Sequence, residues 1–235
     1  MGFDKDGWGV LYMVWGTSHD PLLSRATESL QQYHPDLPVH VHRVPETEAG
    51  SGSAEMFLTK AAMASLSPFE KTLYLDADTI VMGPLDYGFE KATQFGLACC
   101  ICECPWAQRY GGLRQMEGLI EYNTGVLFFT GDANPVMSMW ERLARVVDSS
   151  TRYMDNGVEK TMEHNDQGAF ARAVEITRFN PYVLPLNWNF RPRWHRSFFG
   201  PIRIWHDVAP PPDDIARLNA YYRNPEAIYM DVRLS

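Results

Sequence analysis

Lys71-Thr-Leu-Tyr-Leu-Asp-Ala-Asp-Thr-Ile-Val-Met-Gly-Pro84 is the stretch that decides how this chain is read. Leu73, Tyr74 and Leu75 make a short apolar run that predicts a buried strand, and the run stops on Asp76-Ala77-Asp78. Thr79-Ile-Val-Met resumes the extended pattern and ends at the turn signal Gly83-Pro84. Two carboxylates at i and i+2 where a strand ends can face one side together, and such hard oxygen donors suit Mn2+ or Mg2+. A cation held there would bridge to a diphosphate and offset its charge as it leaves. Asp is also common at plain strand-end turns. The weight of the pair comes from its place between two apolar extended runs.

Outward from that motif the pattern alternates. Upstream, Val10-Leu-Tyr-Met-Val-Trp reads as a buried strand broken at Gly16-Thr-Ser-His-Asp-Pro. Leu23, Ala26, Leu30 and Tyr33 recur at helical spacing, and Val39-His-Val-His-Arg-Val is a second strand. Glu46 to Ser53 is a Gly/Ser/Glu-rich loop expected to be mobile, and a helix from about Ala54 ends at Ser67-Pro68. Downstream come a cysteine-bearing strand and the strand Tyr122-Asn-Thr-Gly-Val-Leu-Phe-Phe-Thr. A helix follows in which Asn134 is the expected cap and Pro135 the first turn, with Val136, Met139, Trp140, Leu143 and Val147 on the buried face. Asn165 is expected to open a short helix through Ala173, and Ile202-Arg-Ile-Trp-His206 is the last strand before Pro210–Pro212 and a terminal helix. No repeat or linker interrupts this, which predicts one α/β domain over residues 1–235, with a mainly parallel central sheet and helices on both faces. Ligands in such sheets sit outside the carboxyl ends of strands. Gly16-Thr17, Asp76–Asp78 and His206 all fall at strand ends and are expected to converge.

Composition narrows the function. The 235 residues are 45% apolar and 21% charged, an ordinary globular balance. A net charge of −8 argues against nucleic acid, whose phosphates are bound by clustered Lys and Arg. It does not argue against a diphosphate held through a divalent cation. No apolar run is long enough to span a bilayer. The opening Met-Gly-Phe-Asp-Lys-Asp lacks the basic region and apolar core of a signal peptide. Cys99, Cys100, Cys102 and Cys104 fall within six residues, and the stretch from Phe95 to Glu103 reads as a strand whose alternation sends Cys100 and Cys102 to one face and Cys99 to the other. One extended strand cannot build a tetrahedral thiolate site. They are expected to be small buried hydrophobes in a reducing, cytoplasmic compartment.

Lys60 through Pro84, ending in Leu-Tyr-Leu-Asp-Ala-Asp-Thr-Ile-Val-Met-Gly-Pro, resembles the glycogenin-like glycosyltransferase family 8. Asn123-Thr-Gly-Val is similar to that family's Asn-Ser-Gly-Val, and Asp166-Gln167 is similar to its Asp-Gln pair. In order and rough spacing the resemblance reaches from Val10 to His206. It implies a GT-A fold, a UDP-sugar donor, Mn2+ (or Mg2+) and transfer with retention to a sugar, protein or lipid-linked acceptor. It implies that Asp76, Asp78 and His206 hold the metal, with Ala77 between them in the motif. Asn123 and Gly125 would line the sugar and acceptor pocket, and Asp166 and Gln167 would meet the sugar near the reacting carbon. Lys60, sixteen residues before Asp76, matches a basic donor contact, and Trp15, Gly16 and Thr17 would hold the nucleoside. The chain departs from the family after His206. There Asp-Val-Ala-Pro-Pro-Pro replaces a glycine and a phosphate-contacting Lys-Pro-Trp, while Arg191, Arg193, Arg196 and Arg203 lie just upstream. Asn187-Trp-Asn-Phe-Arg-Pro-Arg-Trp-His195 reads equally as a sugar-binding stretch or as an aromatic loop packed on the domain.

Two other readings stand beside this one. Leu73-Tyr-Leu-Asp-Ala-Asp-Thr-Ile-Val also fits the nucleophile motif of haloacid-dehalogenase phosphatases, with Asp76 attacking. That motif normally ends the first strand of its domain, and the acidic pair it needs has only Asp213-Asp214, after three prolines, to supply it. A non-catalytic nucleotide-sugar-binding domain would also suit a chain with seven Trp and eleven Tyr.

Overall fold

The computed structural model describes residues 5–44, 53–102, 120–147, 151–162, 166–224, 226–228 and 232–234. In chain order the elements are β1 (Trp8–Trp15), α1 (Asp20–Gln31), β2 (Val39–Val44), α2 (Ser53–Ala61), α3 (Met63–Leu66), β3 (Lys71–Leu75), β4 (Thr79–Val81), α4 (Asp86–Phe95), β5 (Leu97–Ile101) and β6 (Tyr122–Thr130). Then follow α5 (Asn134–Ala144), β7 (Thr151–Asp155), β8 (Val158–Met162), α6 (Asp166–Thr177), β9 (Tyr182–Leu184), β10 (Ser197–Phe198), β11 (Ile204–His206), α7 (Asp213–Tyr222) and β12 (Val232–Arg233). The central sheet has six strands in the order β2-β1-β3-β6-β5-β9. All neighbours run parallel except β6, which is antiparallel to both β3 and β5.

Strand alternation sorts the core into two layers. Val10, Tyr12, Leu73, Leu75, Val126 and Phe128 point to the side covered by α1 and α4, through Ala26, Leu30, Phe89 and Ala92. Leu11, Met13, Tyr74, Leu127 and Phe129 point to the other, under α5 and α6, through Val136, Trp140, Phe170 and Val174. Each large side chain buried this way stabilises the fold by about 1.5–3 kcal/mol, so β1, β3 and β6 are held from both faces. A third, smaller cluster of Phe190, Phe198, Ile202, Trp205, Ile215 and Tyr222 packs the C-terminal part together. The cysteines behave as small hydrophobes: Cys99 faces the α5/α6 layer, Cys100 the α1/α4 layer, and Cys102 is buried. Burial pushes the Cys99 thiol up. Cys104 and the loop Glu46–Gly52 lie outside the described residues.

Several local expectations are corrected. Asn134 is not the cap of α5 but its first residue. A 3-10 turn, Gly131–Ala133, precedes it, and the Thr130 hydroxyl accepts from the Asp132 N–H, so capping begins four residues earlier. The helix expected from Ala54 to Ser67 is two helices, broken at Ala62. The helix carrying Asp166 runs on to Thr177 rather than Ala173. The hairpin β7–β8 was not expected, although Asn156-Gly157 announces it: both residues take positive φ, 50° and 80°, as a type I′ turn requires.

Candidate metal centre

β3 delivers the acidic motif. The Asp76 N–H donates to the Gly125 carbonyl at 2.9 Å, carrying the β3–β6 ladder one residue past the strand. The chain then turns tightly, with the Thr79 N–H and hydroxyl both donating to the Asp76 carbonyl at 3.1 and 2.8 Å. Directly after this turn β4 pairs antiparallel with β11, setting His206 opposite Thr79. The Asp207 N–H closes the register on the Asp78 carbonyl at 3.0 Å. The Nε2 of His206 thereby stands 3.2 Å from Asp78 Oδ1 and 3.7 Å from Asp76 Oδ2.

Asp76, Asp78 and His206 offer one donor atom each, all within 4.8 Å of one another. The set fits a divalent cation. Two carboxylates and an imidazole nitrogen this close need a proton or a cation between them, and three protein donors leave positions open for phosphate oxygens. Burial by itself would raise the Asp78 carboxyl, but with no cation bound and the His206 ring protonated, the charge of that ring and its hydrogen bond outweigh it and hold the group down at about 2. Gly125 makes room for the cluster. A Cβ at that position would lie 2.4 Å from His206 Cε1 and 2.6 Å from Asp76 Oδ2. It sits where β6 bulges, since pairing with β5 jumps from Cys99–Leu127 to Cys100–Asn123.

A second, internally balanced group leans on the first. Lys60, buried on α2, places Nζ 2.9 Å from Asp76 Oδ1 and 3.4 Å from Asp166 Oδ2. Burial alone would lower this ammonium, but Asp166 and Asp76 reverse the effect and hold it above its ordinary range, fully charged. The Tyr74 hydroxyl donates to Asp76 Oδ1 at 2.7 Å, and the Thr124 hydroxyl donates to Asp166 Oδ2. Trp140 Nε1–H holds the Asp166 carbonyl at 3.1 Å, tying the start of α6 to α5. The Gln167 amide donates to Cys102 Sγ at 3.4 Å.

Beside the motif opens a cavity of about 260 Å³ lined by Trp15, His19, Lys60, Asp76, Ala77 and Asp78, among others. Sequence reasoning thus named five of its walls. Gly16 and Thr17 are not among its described lining: the Gly16 carbonyl accepts from Arg43, and the Thr17 carbonyl accepts the Asp20 N–H at the start of α1. Asn123, Asp166, Gln167 and His206 are buried behind the motif rather than on the cavity wall.

The stretch 187–195 resolves toward packing. The Asn187 amide donates to the carbonyls of Phe199, Gly200 and Pro201, Trp188 joins the main core, and Asn189 is buried against His206. Arg203 lies against Gly83, beyond the far end of β4 from Asp78. Arg25 reaches the turn after His206, donating to the carbonyls of Asp207 and Val208 at 3.0 and 2.9 Å. Helical spacing from Ala26 marks α1's buried side but gave no sign of that contact. Tyr74 was legible, two residues before Asp76 on one strand and therefore on the same face. Asp213 and Asp214, needed by the phosphatase reading, stand exposed in the first turn of α7, where acidic groups are favoured by the helix dipole.

No family model matches the chain, and no curated protein matches it in sequence. Solved structures do. The galactosyltransferase LgtC, in complex with donor and acceptor sugar analogs, is 17% identical, with 92% of this chain and 94% of that one covered and a TM-score of 0.53. Mouse xyloside xylosyltransferase 1 is 15% identical, covering 87% and 99%, with a TM-score of 0.55. The glycosyltransferase GlyE of Streptococcus pneumoniae TIGR4 is 13% identical, covering 96% and 58%, with a TM-score of 0.51. The chain has the GT-A fold of these glycosyltransferases.

Proposed function

We propose that this chain is a metal-dependent glycosyltransferase, a single GT-A domain that moves a hexose from a UDP-sugar to a sugar, protein or lipid-linked acceptor. The observation that carries the reading is the convergence of Asp76, Asp78 and His206 at the end of a central strand, beside a cavity walled by Trp15 and Lys60. Mn2+ or Mg2+ held by those three residues would stabilise the negative charge gathering on the diphosphate as the sugar leaves.

The chain's own groups have definite tasks in this reading. Trp15 offers a flat apolar wall for the nucleoside, with Gly16 and Thr17 closing the strand end beneath it. Lys60 keeps its charge beside the leaving diphosphate, while Tyr74 orients the Asp76 carboxylate for its metal. Asp166 and Gln167 open α6 next to Lys60 and position the sugar, and Asn123 and Gly125 shape the floor under it. Retention follows from the family resemblance. The buried thiols of Cys99, Cys100 and Cys102 support a reducing, cytoplasmic compartment. Among the described residues no helix is long and apolar enough to cross a membrane.

The test is the thermal shift produced by UDP with and without Mn2+, followed by release of UDP from UDP-hexoses. At about 100 times its dissociation constant a ligand adds roughly 2.7 kcal/mol to stability, a shift readily seen. The expected result is a Mn2+-dependent shift and slow donor turnover even without acceptor. A shift without any turnover would assign a non-catalytic nucleotide-sugar-binding domain. No shift with UDP or any other nucleotide, in the presence of Mn2+, would sink the donor site altogether.

A further inference from the structure

The imidazole of His206 is held from behind by a chain of buried amides. Its Nδ1 lies 2.7 Å from Asn189 Oδ1, and Asn189 Nδ2 lies 2.8 Å from Asn123 Oδ1. The same Asn123 oxygen accepts the Gly125 N–H at 2.9 Å. His206, Asn189 and Asn123 are 8%, 2% and 3% exposed, so none of these bonds can be exchanged cheaply for water.

The polarity of this chain is fixed from one end. A backbone N–H can only donate, so Asn123 must turn its oxygen, not its nitrogen, toward Gly125. Asn189 must then present its NH2 to that oxygen, because the flipped amide would set two acceptor oxygens 2.8 Å apart in a dry site. With its NH2 committed, Asn189 has only its oxygen to offer His206, and a carbonyl oxygen only accepts. The proton of the neutral ring is therefore on Nδ1. Which nitrogen of a histidine is free for a metal is set by the bond its other nitrogen makes.

We infer that Asn123 and Asn189 form a directional relay, anchored on the Gly125 backbone amide at the β6 bulge, that fixes His206 as the Nδ1–H tautomer and points the bare Nε2 at Asp76 and Asp78. Asn189 is a positioning residue: it acts on the site only through the imidazole. A side chain free in water favours the other tautomer, with its proton on Nε2, which would place a hydrogen where the cation belongs. With Nδ1–H committed to Asn189, a proton on Nε2 is the one that a cation between Asp76 and Asp78 displaces. Its value for metal binding rests on the glycosyltransferase reading above, but the tautomer itself does not.

The experiment is a two-bond proton–nitrogen correlation spectrum of the full chain labelled at histidine nitrogen, recorded metal-free with the pH raised until the His206 ring is neutral, together with Mn2+ titration followed by electron paramagnetic resonance. The wild-type spectrum is expected to show His206 protonated at Nδ1. Asn189→Leu should lose that tautomer and bind Mn2+ about 10–100-fold more weakly, the usual cost of losing a partner behind a metal ligand. Asn123→Asp should keep the tautomer, because its carboxylate accepts both N–H groups that the amide oxygen accepted. An Nε2–H tautomer in the wild type overturns the relay, and that spectrum decides even if Asn189→Leu fails to fold. Unchanged tautomer and Mn2+ affinity in a folded Asn189→Leu would overturn it as well. A wild-type Nδ1–H tautomer with no Mn2+ binding would uphold the relay and defeat the metal reading.

Discussion

Two histidines, His34 and His206, are buried to nearly the same degree and each is tethered at one ring nitrogen, yet their surroundings give them opposite work. His34 follows α1, and its Nε2 accepts the Leu85 N–H at 2.9 Å while its ring meets Phe89 edge-on. Among the described residues its Nδ1 finds no partner. Burial is the main reason its ring is lowered from 6.5 to about 4, with Lys5 adding to the effect and Asp86 opposing it. His206 is also tethered once, at Nδ1, but its remaining nitrogen faces two carboxylates. The lesson is that burial and a hydrogen bond mark a structural histidine, and only the chemistry facing the second nitrogen marks a ligand. The same contrast divides the acidic groups. Asp166 is balanced inside the chain by Lys60 and Thr124, whereas Asp78 faces the cavity and His206.

The comparison is broken most severely by removing the internal cation. Lys60→Met leaves Asp76 and Asp166 without their buried partner and should destabilise the fold by about 3–5 kcal/mol in urea unfolding. Adding Asp166→Asn should recover part of that loss, and a wild-type urea midpoint in the single variant would show that the carboxylates do not depend on Lys60. Next in size is Asp78→Asn on the cavity side. It should weaken Mn2+ binding at least ~100-fold, about 2.7 kcal/mol, with little change in metal-free unfolding. Calorimetric titration giving wild-type affinity would remove Asp78 from the metal set.

His34 supplies the pH arm of the contrast. Its folded value lies below its unfolded one, so the unfolded chain takes up the proton first as pH falls. The stabilisation is complete above about 6.5, is lost as pH falls from there to about 4, and changes no further below. The loss should be on the order of 2 kcal/mol in wild type. His34→Gln should flatten the stability profile across that window, and an identical slope in the variant would contradict the assignment. The smallest effect is expected on the β7–β8 hairpin, where Arg152 and Glu159 form an exposed pair at 3.3 Å. Arg152→Ala should change stability by less than about 0.5 kcal/mol, since exposed ion pairs are screened. A larger loss would mean the hairpin is anchored by more than that pair.

By itself the sequence determined the α/β class, the strand that ends in Asp76–Asp78 and the residues that share its face. These are local: apolar runs, strand alternation and turn residues act within a few positions of one another, so periodicity exposes them. It also carries the hairpin turn, in the pair Asn156-Gly157. Only the tertiary structure decided that β6 runs against its neighbours, and that His206 arrives opposite Thr79 through the β4–β11 pair. The same holds for Asn189, which turns inward to a histidine rather than outward to a sugar, and for Arg25, which reaches the turn after His206. Each of these is a contact between segments distant along the chain, where polar residues of similar composition serve a ligand, a loop or a neighbouring side chain equally well. Which of those they serve is fixed only when burial removes water as a partner and leaves one set of donors and acceptors to be matched.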